Sequence, residues 1–324
     1  MTSPLQEKLV ETYTGNSGLR TVAAYRGSLF RFWSSDGFLP KYTLFDFSEL
    51  RDPGFYRACL VEFLGTFFFT SLHFGIVGSS ERSPYFLSAF GHSLAYYLLL
   101  ITFGPISGGH FNPLITASTL GTGKSTMPRA VLYILLQCFG GFLAALTYIA
   151  MYGNSFRYRN PECGYLDEER GAGEYILFEI LQNTLFLFFV YAIGFDSRVS
   201  SLLGPFKAPL LLALAYGLML FSNVSNAYAS IQDDYSDDGE SYGYRWGSNF
   251  AFCIGSKFYD DYYFDNDAQQ DNFVNGTGYT FCSIIISVII HSLLYLVLAP
   301  ASPQLEDEEE EKGRNKQRLL VEMA

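Results

Sequence analysis

The chain reads as an all-α integral membrane protein built from two matching halves, and three observations lead there. Of its 324 residues 49% are apolar, 18% aromatic and only 16% charged, too few charges to clothe a water-facing surface of that length. The charges are also segregated, leaving apolar stretches at 59–78, 85–103, 130–151, 175–195, 208–225 and 279–298, each long enough to cross a hydrocarbon core as a helix. A polar, glycine-rich segment then interrupts the first half between its second and third stretches. It is too apolar further on for an ordinary loop.

The net charge, 21 basic against 32 acidic residues for −11, excludes a nucleic-acid surface, which needs a basic stripe. An even number of spans puts both termini on one side. On that side fall fifteen basic residues, among them Lys8, Arg57, Lys124, Arg129, Lys207 and Arg318, against six on the other. The bias predicts cytosolic termini. The N-terminal arm has no basic region joined to an apolar core and a small-residue cleavage site, which predicts that the first span is retained.

Three parts follow from this pattern: a cytosolic arm over 1–57, a membrane domain over 58–300, and an acidic cytosolic tail over 301–324. The arm's stretch 26–47 is aromatic and basic by turns, suited either to the headgroup zone or to a packed cytosolic cap. In the tail, residues 306–311 are all acidic and read as a solvated run. Of five cysteines, Cys59, Cys138 and Cys282 lie in spans as small apolar side chains. Cys163 and Cys253 fall outside the spans on one predicted side; the sequence does not supply the geometry a bridge between them requires, and two free thiols are the favoured expectation. Asn275-Gly276-Thr277 is a glycosylation sequon on that face. The halves are a first repeat over 58–152 and a second over 174–300, the latter carrying an acidic external insert at about 230–245.

Within each repeat the first span carries a carboxylate near its middle, Glu62 in one and Glu179 in the other. An acid at that depth is costly and persists only where partners satisfy it. Both are expected to accept hydrogen bonds from irregular backbone, as a buried structural network. The irregular backbone is the segment Gly104-Pro105-Ile106-Ser107-Gly108-Gly109-His110-Phe111-Asn112-Pro113-Leu114. Its glycines permit close approach and unusual dihedrals. Asn112 suits a helix N-cap, Pro113 the first helical position, and 114–120 an apolar turn and a half. The prediction is a re-entrant half-helix, its positive end at the membrane midplane and an Asn amide projecting there. His110 is expected to be a structural member of the turn.

The run Ser107-Gly108-Gly109-His110-Phe111-Asn112-Pro113-Leu114 resembles the first Asn-Pro-Ala box of the aquaporin and glycerol-facilitator (major intrinsic protein) family. Glu62-x-x-Gly65-Thr66, Phe90-Gly91-x-Ser93, Gln137-x-x-Gly140-Gly141, Glu179 with Thr184, and Ala208-Pro209-Leu210 are similar to that family's helix motifs, in the family's order. The resemblance covers about 59 to 300. It implies an aquaporin-like bundle of six transmembrane helices plus two re-entrant half-helices in an inverted repeat, assembled as a homotetramer, with water or small neutral solutes and the lipid bilayer as its partners.

The second Asn-Pro-Ala box of that family is not present as such. Asn226-Ala227-Tyr228 comes directly at the end of the fifth span, leaving no room to fold back. Asn249-Phe250-Ala251, with Gly255 beyond, keeps the family's spacing of Asn, Ala and Gly and is preferred. The Glu-to-Asn spacing is then 50 from Glu62 to Asn112 and 70 from Glu179 to Asn249; the insert accounts for the excess. By the same resemblance the selectivity constriction is expected from Phe90 or His92, Leu220 or Phe221, Trp246, and Phe252 where the family carries Arg. Such a ring is mostly apolar. An apolar constriction can close by dewetting, while loss of the Arg can widen it. Arg245 stands near enough to substitute.

His73, His92, His110 and His291 have no helical pairing with acids or thiols that resembles a metal set, so no metal and no cofactor is expected. His92 at the constriction would make permeation sensitive to pH. No nucleophile, base and orienting group occur in one cluster, which argues against an enzyme. The expected function is a passive channel for water or small neutral solutes such as glycerol, with Asn112 and Asn249 donating to a single file. The alternative is a poorly conducting scaffold or adhesion protein of the same shape.

Overall fold

A computed structural model describes residues 45–80, 85–152, 172–231, 247, 249–255 and 267–298; Trp246, Arg245, Cys163, the tail and most of the arm and insert lie outside them. Apart from short turns and connections the described residues are helical, because backbone in a hydrocarbon slab must satisfy its own hydrogen bonds. Eight helices follow in order: α1 (Pro53–Ser80), α2 (Tyr85–Ser107), α3 (Pro113–Gly121), α4 (Met127–Tyr152), α5 (Ala172–Phe189), α6 (Ser197–Ile231), a short α7 at 250–255, and α8 (Asp267–Leu298). Six of them are long and apolar enough to cross a membrane. The short α3 and α7 each follow the second span of their half.

Local chemistry sets the ends. At the start of α1, Pro53 takes the first helical position, where its missing N–H costs nothing, and Asp52 Oδ1 accepts from Gly54 N at 2.9 Å. Before α4, Thr126 Oγ1 accepts from Arg129 N at 3.4 Å. Helix α2 runs through Pro105 to Ser107, four residues further than the apolar stretch suggests. Helix α5 passes into a π-helical turn, Val190–Phe195. Gly204, at φ 71°, puts a non-helical step inside α6, a conformation only glycine takes freely.

The packing repeats between halves. The first and third spans of each half lie together, α1 on α4 and α5 on α8, and α2 packs on α6 across the pseudo-symmetric seam. Outer faces carry Leu60, Leu72, Leu135, Leu181 and Leu293, all exposed, as suits contact with lipid. Inside sit Glu62, Thr66, His73, Gln137, Glu179, Asn183 and His291, all fully buried. Polar residues within and apolar residues without is the distribution a membrane bundle requires.

Three boundaries move. The arm ends earlier than 57, since α1 begins at Pro53, and a 3-10 turn, Ser48–Arg51, brings Glu49 to an ion pair with Arg129 of α4 at 3.0 Å. Asn226 lies within the continuous backbone of α6, so no box forms there. Asn275 falls within α8 rather than in a loop.

Candidate functional site

The glycine turn between α2 and α3 folds around one carboxylate. Gly108 and Gly109 adopt φ of 100° and 68°, which side chains resist, and the chain reverses in three residues. Glu62, reaching from α1, collects the amides this reversal strands. Its Oε1 accepts from His110 N at 3.0 Å and Ser107 Oγ at 2.6 Å; its Oε2 accepts from Phe111 N at 2.7 Å and Gln137 Nε2 at 2.8 Å. Four donors on two oxygens offset the cost of burying the acid. The His110 ring turns its Nδ1 to Thr116 Oγ1 at 3.0 Å and so braces the turn against α3.

Helix α3 then starts as its sequence dictates. Asn112 is the N-cap, its Oδ1 accepting from Leu114 N at 2.9 Å, with Pro113 in the first position. The second half repeats the arrangement, with fewer donors among the described residues. Glu179 Oε1 accepts from Gly247 N and from Tyr175 Oη, the latter at 3.1 Å, and Asn183 Nδ2 reaches Oε2 at 3.5 Å. Asn249 caps α7, its Oδ1 accepting from Ala251 N at 3.1 Å. In both halves the glutamate holds the amide two residues before the asparagine, and the asparagine holds the amide two residues after itself.

The two caps meet. Asn249 Nδ2 donates to the carbonyl of Phe111 at 2.7 Å, joining the start of α7 to the residue before Asn112. Phe111 takes φ 45°, a strained value for a residue with a side chain. Its amide is held by Glu62, its carbonyl by Asn249, and its ring is fully buried. Each short helix also lies on the third span of the opposite half. A Cβ on Gly121 of α3 would collide with Ser292 of α8, and one on Gly141 of α4 with the carbonyl of Ala251 of α7. Phe250, next to Asn249, is half-buried and stands 5.5 Å from the ring of Phe281.

Beside this junction, two residues expected at the constriction lie elsewhere. Phe90 is 50% exposed and Phe221 46% exposed, so both face outward. Two residues on a helix differ by about 200° in direction, so with His92 turned inward Phe90 must point away. Leu220 packs on the buried core, whereas Phe221 stands edge-on to Phe86 on the outer surface. Phe252 is buried at 1%. Its ring stacks on His73 at 4.3 Å and meets Phe69 edge-on at 5.0 Å.

His73 was not among the residues singled out by sequence, and it pairs with His92. Their Nδ1 and Nε2 lie 2.8 Å apart, and His92 Nδ1 lies 2.8 Å from the carbonyl of Ser88. A carbonyl only accepts, so His92 Nδ1 carries a proton, and in a neutral pair His73 Nδ1 donates to His92 Nε2. Phe69 leads on to Tyr96 at 5.2 Å and Tyr216 at 5.6 Å. Two imidazoles and a run of aromatic rings thus pack around Phe252. Among the described residues no three His, Cys, Asp or Glu side chains gather as metal ligands. Cys253 of α7 is buried and disulfide-bonded, while Cys59, Cys138 and Cys282 are free.

Known proteins carry the same pattern. The chain is 33% identical over 176 residues to the lens fiber major intrinsic protein of Gallus gallus, an overlap covering 52% of this chain and 64% of that one. It thus spans less than two thirds of that relative's length. It is 25% identical over 221 residues to the probable aquaporin TIP3-2 of Arabidopsis thaliana, covering 64% of this chain and 80% of the relative. In three dimensions it is similar to the aquaglyceroporin from Plasmodium falciparum, with a TM-score of 0.57 at 18% identity over 74% of this chain and 95% of that one. The family described as "Major intrinsic protein" matches residues 49–233, more than half of the sequence, and with two capped short helices meeting between six spans the chain belongs to that family.

Proposed function

We propose that this protein is a passive transmembrane channel for water or small neutral solutes such as glycerol. The observation that carries the reading is the meeting of α3 and α7, each capped by an asparagine, with the Asn249 amide on the Phe111 carbonyl. In this reading a solute entering one mouth exchanges its hydration for side-chain amides and turn carbonyls, then leaves at the other. The positive end of α3 opposes cations. No bond is made or broken. The relatives named as aquaporins and the aquaglyceroporin support this reading, as does the polar interior of the bundle.

By the excess of Lys and Arg, both termini lie in the cytosol. Four copies form the working assembly, each with its own passage, by likeness to the family. The residues we assign to the passage are Asn112, Asn249, His73, His92, Leu220 and Phe252. A second reading, a poorly conducting scaffold, is favoured by the packing of Phe252 against His73 and Phe69.

One measurement separates them. Purified protein in lipid vesicles is subjected to an osmotic step, beside empty vesicles and a variant carrying both Asn112→Asp and Asn249→Asp. The channel reading expects fast shrinkage for the wild type and slow shrinkage for the other two. Equal rates in all three leave the scaffold.

A further inference from the structure

Near the end of α8 a histidine ring is packed where it has nothing to bond. His291 is fully buried, and among the described residues no donor or acceptor reaches either ring nitrogen. A neutral imidazole carries one N–H and one bare nitrogen, so two polar groups go unmet. Its neighbours are rings instead. Tyr191 of the π-helical turn stands at 4.3 Å, Phe188 of α5 edge-on at 5.4 Å, and Tyr295, one turn along α8, stacked at 6.0 Å.

The same corner holds the far end of α3. Tyr191 Oη and Thr122 Oγ1 share a hydrogen bond of 2.7 Å, and Thr122 closes α3 by giving its N–H to Ser118 O at 3.0 Å. Ser292, next to His291, lies so near Gly121 that a Cβ there would collide with it. Helix α3 therefore rests on α8 at Ser292 and on the π-helical turn at Tyr191, and the His291 ring packs on the second of these supports. The helix is nine residues long, about 14 Å at the ordinary rise, so a shift at this end is delivered to the Asn112 cap at the other. The charged groups at this corner are Lys124, its Nζ 5.8 Å from the Tyr295 ring centre, and Asp196, at the end of the π-helical turn, which acts on Lys124. The phenols of Tyr191 and Tyr295 are the other titratable groups that face the ring. Glu174 and Glu179 of α5 stand two turns or more before Phe188.

We propose that His291 is an acid-sensitive latch: uncharged, it fastens α8 to the π-helical turn and keeps α3 in place; protonated, it parts them and lowers permeation. The effect on permeation rests on the channel reading; the latch itself does not. A proton added to the ring makes an imidazolium with two N–H donors and no acceptor in reach among the described residues, and an unpaired charge inside a packed apolar cage is costly. Aromatic faces return only part of that cost. Lys124 has the same sign as the new charge, and Asp196 already acts on Lys124. The less costly outcome is for the ring to leave its cage toward water, drawing α8 away from Tyr191 and Ser292 away from Gly121. Both supports of α3 then loosen together, and the Asn112 cap moves with its helix.

The test uses the full-length protein, its His291→Phe variant, which fills the cage and takes no proton, and His291→Gln as a second neutral variant should the first fail to fold by gel filtration. Osmotic permeability of wild-type vesicles is expected to fall reversibly, about fivefold or more between about pH 7.5 and about pH 4.5, the low end of ordinary coupling between two sites. The variant is expected to conduct like the wild type at the upper pH and to lose most of the fall, although His73, His92 and His110 remain in it. The unfolding midpoint in detergent is expected to drop across the same range by more in the wild type than in the variant. A flat wild-type permeability, or a variant that falls as steeply as the wild type, overturns the control of permeation. Midpoints that drop equally in both proteins overturn the latch. Wild-type vesicles no faster than empty ones at the upper pH sink the channel reading instead, and the midpoints alone then decide the latch.

Discussion

Asn249 donates its side-chain N–H to the carbonyl of Phe111 at 2.7 Å, across 138 positions of sequence. The bond uses one of the two amide protons of Asn249, and its Oδ1 already caps α7. It also explains the conformation of Phe111. Only with φ positive does that residue give its amide to Glu62 and its carbonyl to Asn249 together. The junction and the two buried glutamates therefore form one connected polar network.

The network ranks the glutamates. From the described residues Glu62 accepts four hydrogen bonds and Glu179 three. Truncating either strands buried backbone amides, at about 1–3 kcal/mol for each unmet group. Glu62→Ala is expected to lower the unfolding midpoint in detergent more than Glu179→Ala, with Glu62→Gln between wild type and Glu62→Ala. Thermal unfolding of the three variants checks the order, and a reversed rank would count against the network.

Gly141 sets how closely α7 approaches α4. A methyl group there meets the Ala251 carbonyl, and nothing flexible stands in the way to yield. Gly141→Ala is expected to cost about 1–3 kcal/mol by overpacking and to displace Asn249, reducing osmotic permeability. Gly123→Ala serves as a contrast: a Cβ there meets nothing within 4 Å, although its φ of 69° still strains the backbone. It should destabilise while leaving flux unchanged.

In the channel reading Phe252 closes the passage beside the histidine pair. Phe252→Ala removes a ring stacked on His73 and Phe69, at about 3–5 kcal/mol of stability. Permeability should rise severalfold in vesicles where the protein remains folded by gel filtration. An unchanged rate would show that closure lies elsewhere.

Lys124 gives a pH dependence outside the spans. Burial holds its ammonium below the ordinary 10.5, with Asp196 pulling the other way, and the chain sits beneath Tyr295 with Nζ 5.8 Å from the ring centre. Unfolding returns the group to its ordinary value. Between the lowered value and 10.5 the unfolded chain binds more protons, so stability rises with pH in that window. Lys124→Met should abolish the rise. Unfolding midpoints taken from about pH 8 upward, toward that ordinary Lys value, in both proteins test the sign.

How far the sequence foretold this molecule depended on whether the signal was local. The spans were legible because membrane helices announce themselves by composition. The first box was legible because a glycine turn, an N-cap and a proline lie within six residues, each with its own mechanism. The second was nearly illegible: Asn249 is not followed by proline, and its spacing to Ala251 and Gly255 was what pointed to it. Phe90 and Phe221 went wrong for a physical reason. A helix that faces lipid on one side and a packed core on the other is apolar all round, so periodicity carries no direction. The same lack of a stripe hid the pairing of His73 with His92, which rests on which way α1 and α2 are turned. Phe111 could have been suspected, since it sits between a glycine pair and an N-cap.

The longer reach in the second half has a practical corollary. Glu179 grips the Gly247 amide 68 positions away, against 48 for Glu62 and His110, yet Asn249 arrives at the same kind of berth. Closing the longer loop costs only about 0.3 kcal/mol more by chain statistics, so the segment ahead of Gly247 is where an epitope tag, a fluorophore or a tethering handle can be spliced in without unseating Asn249 from Phe111.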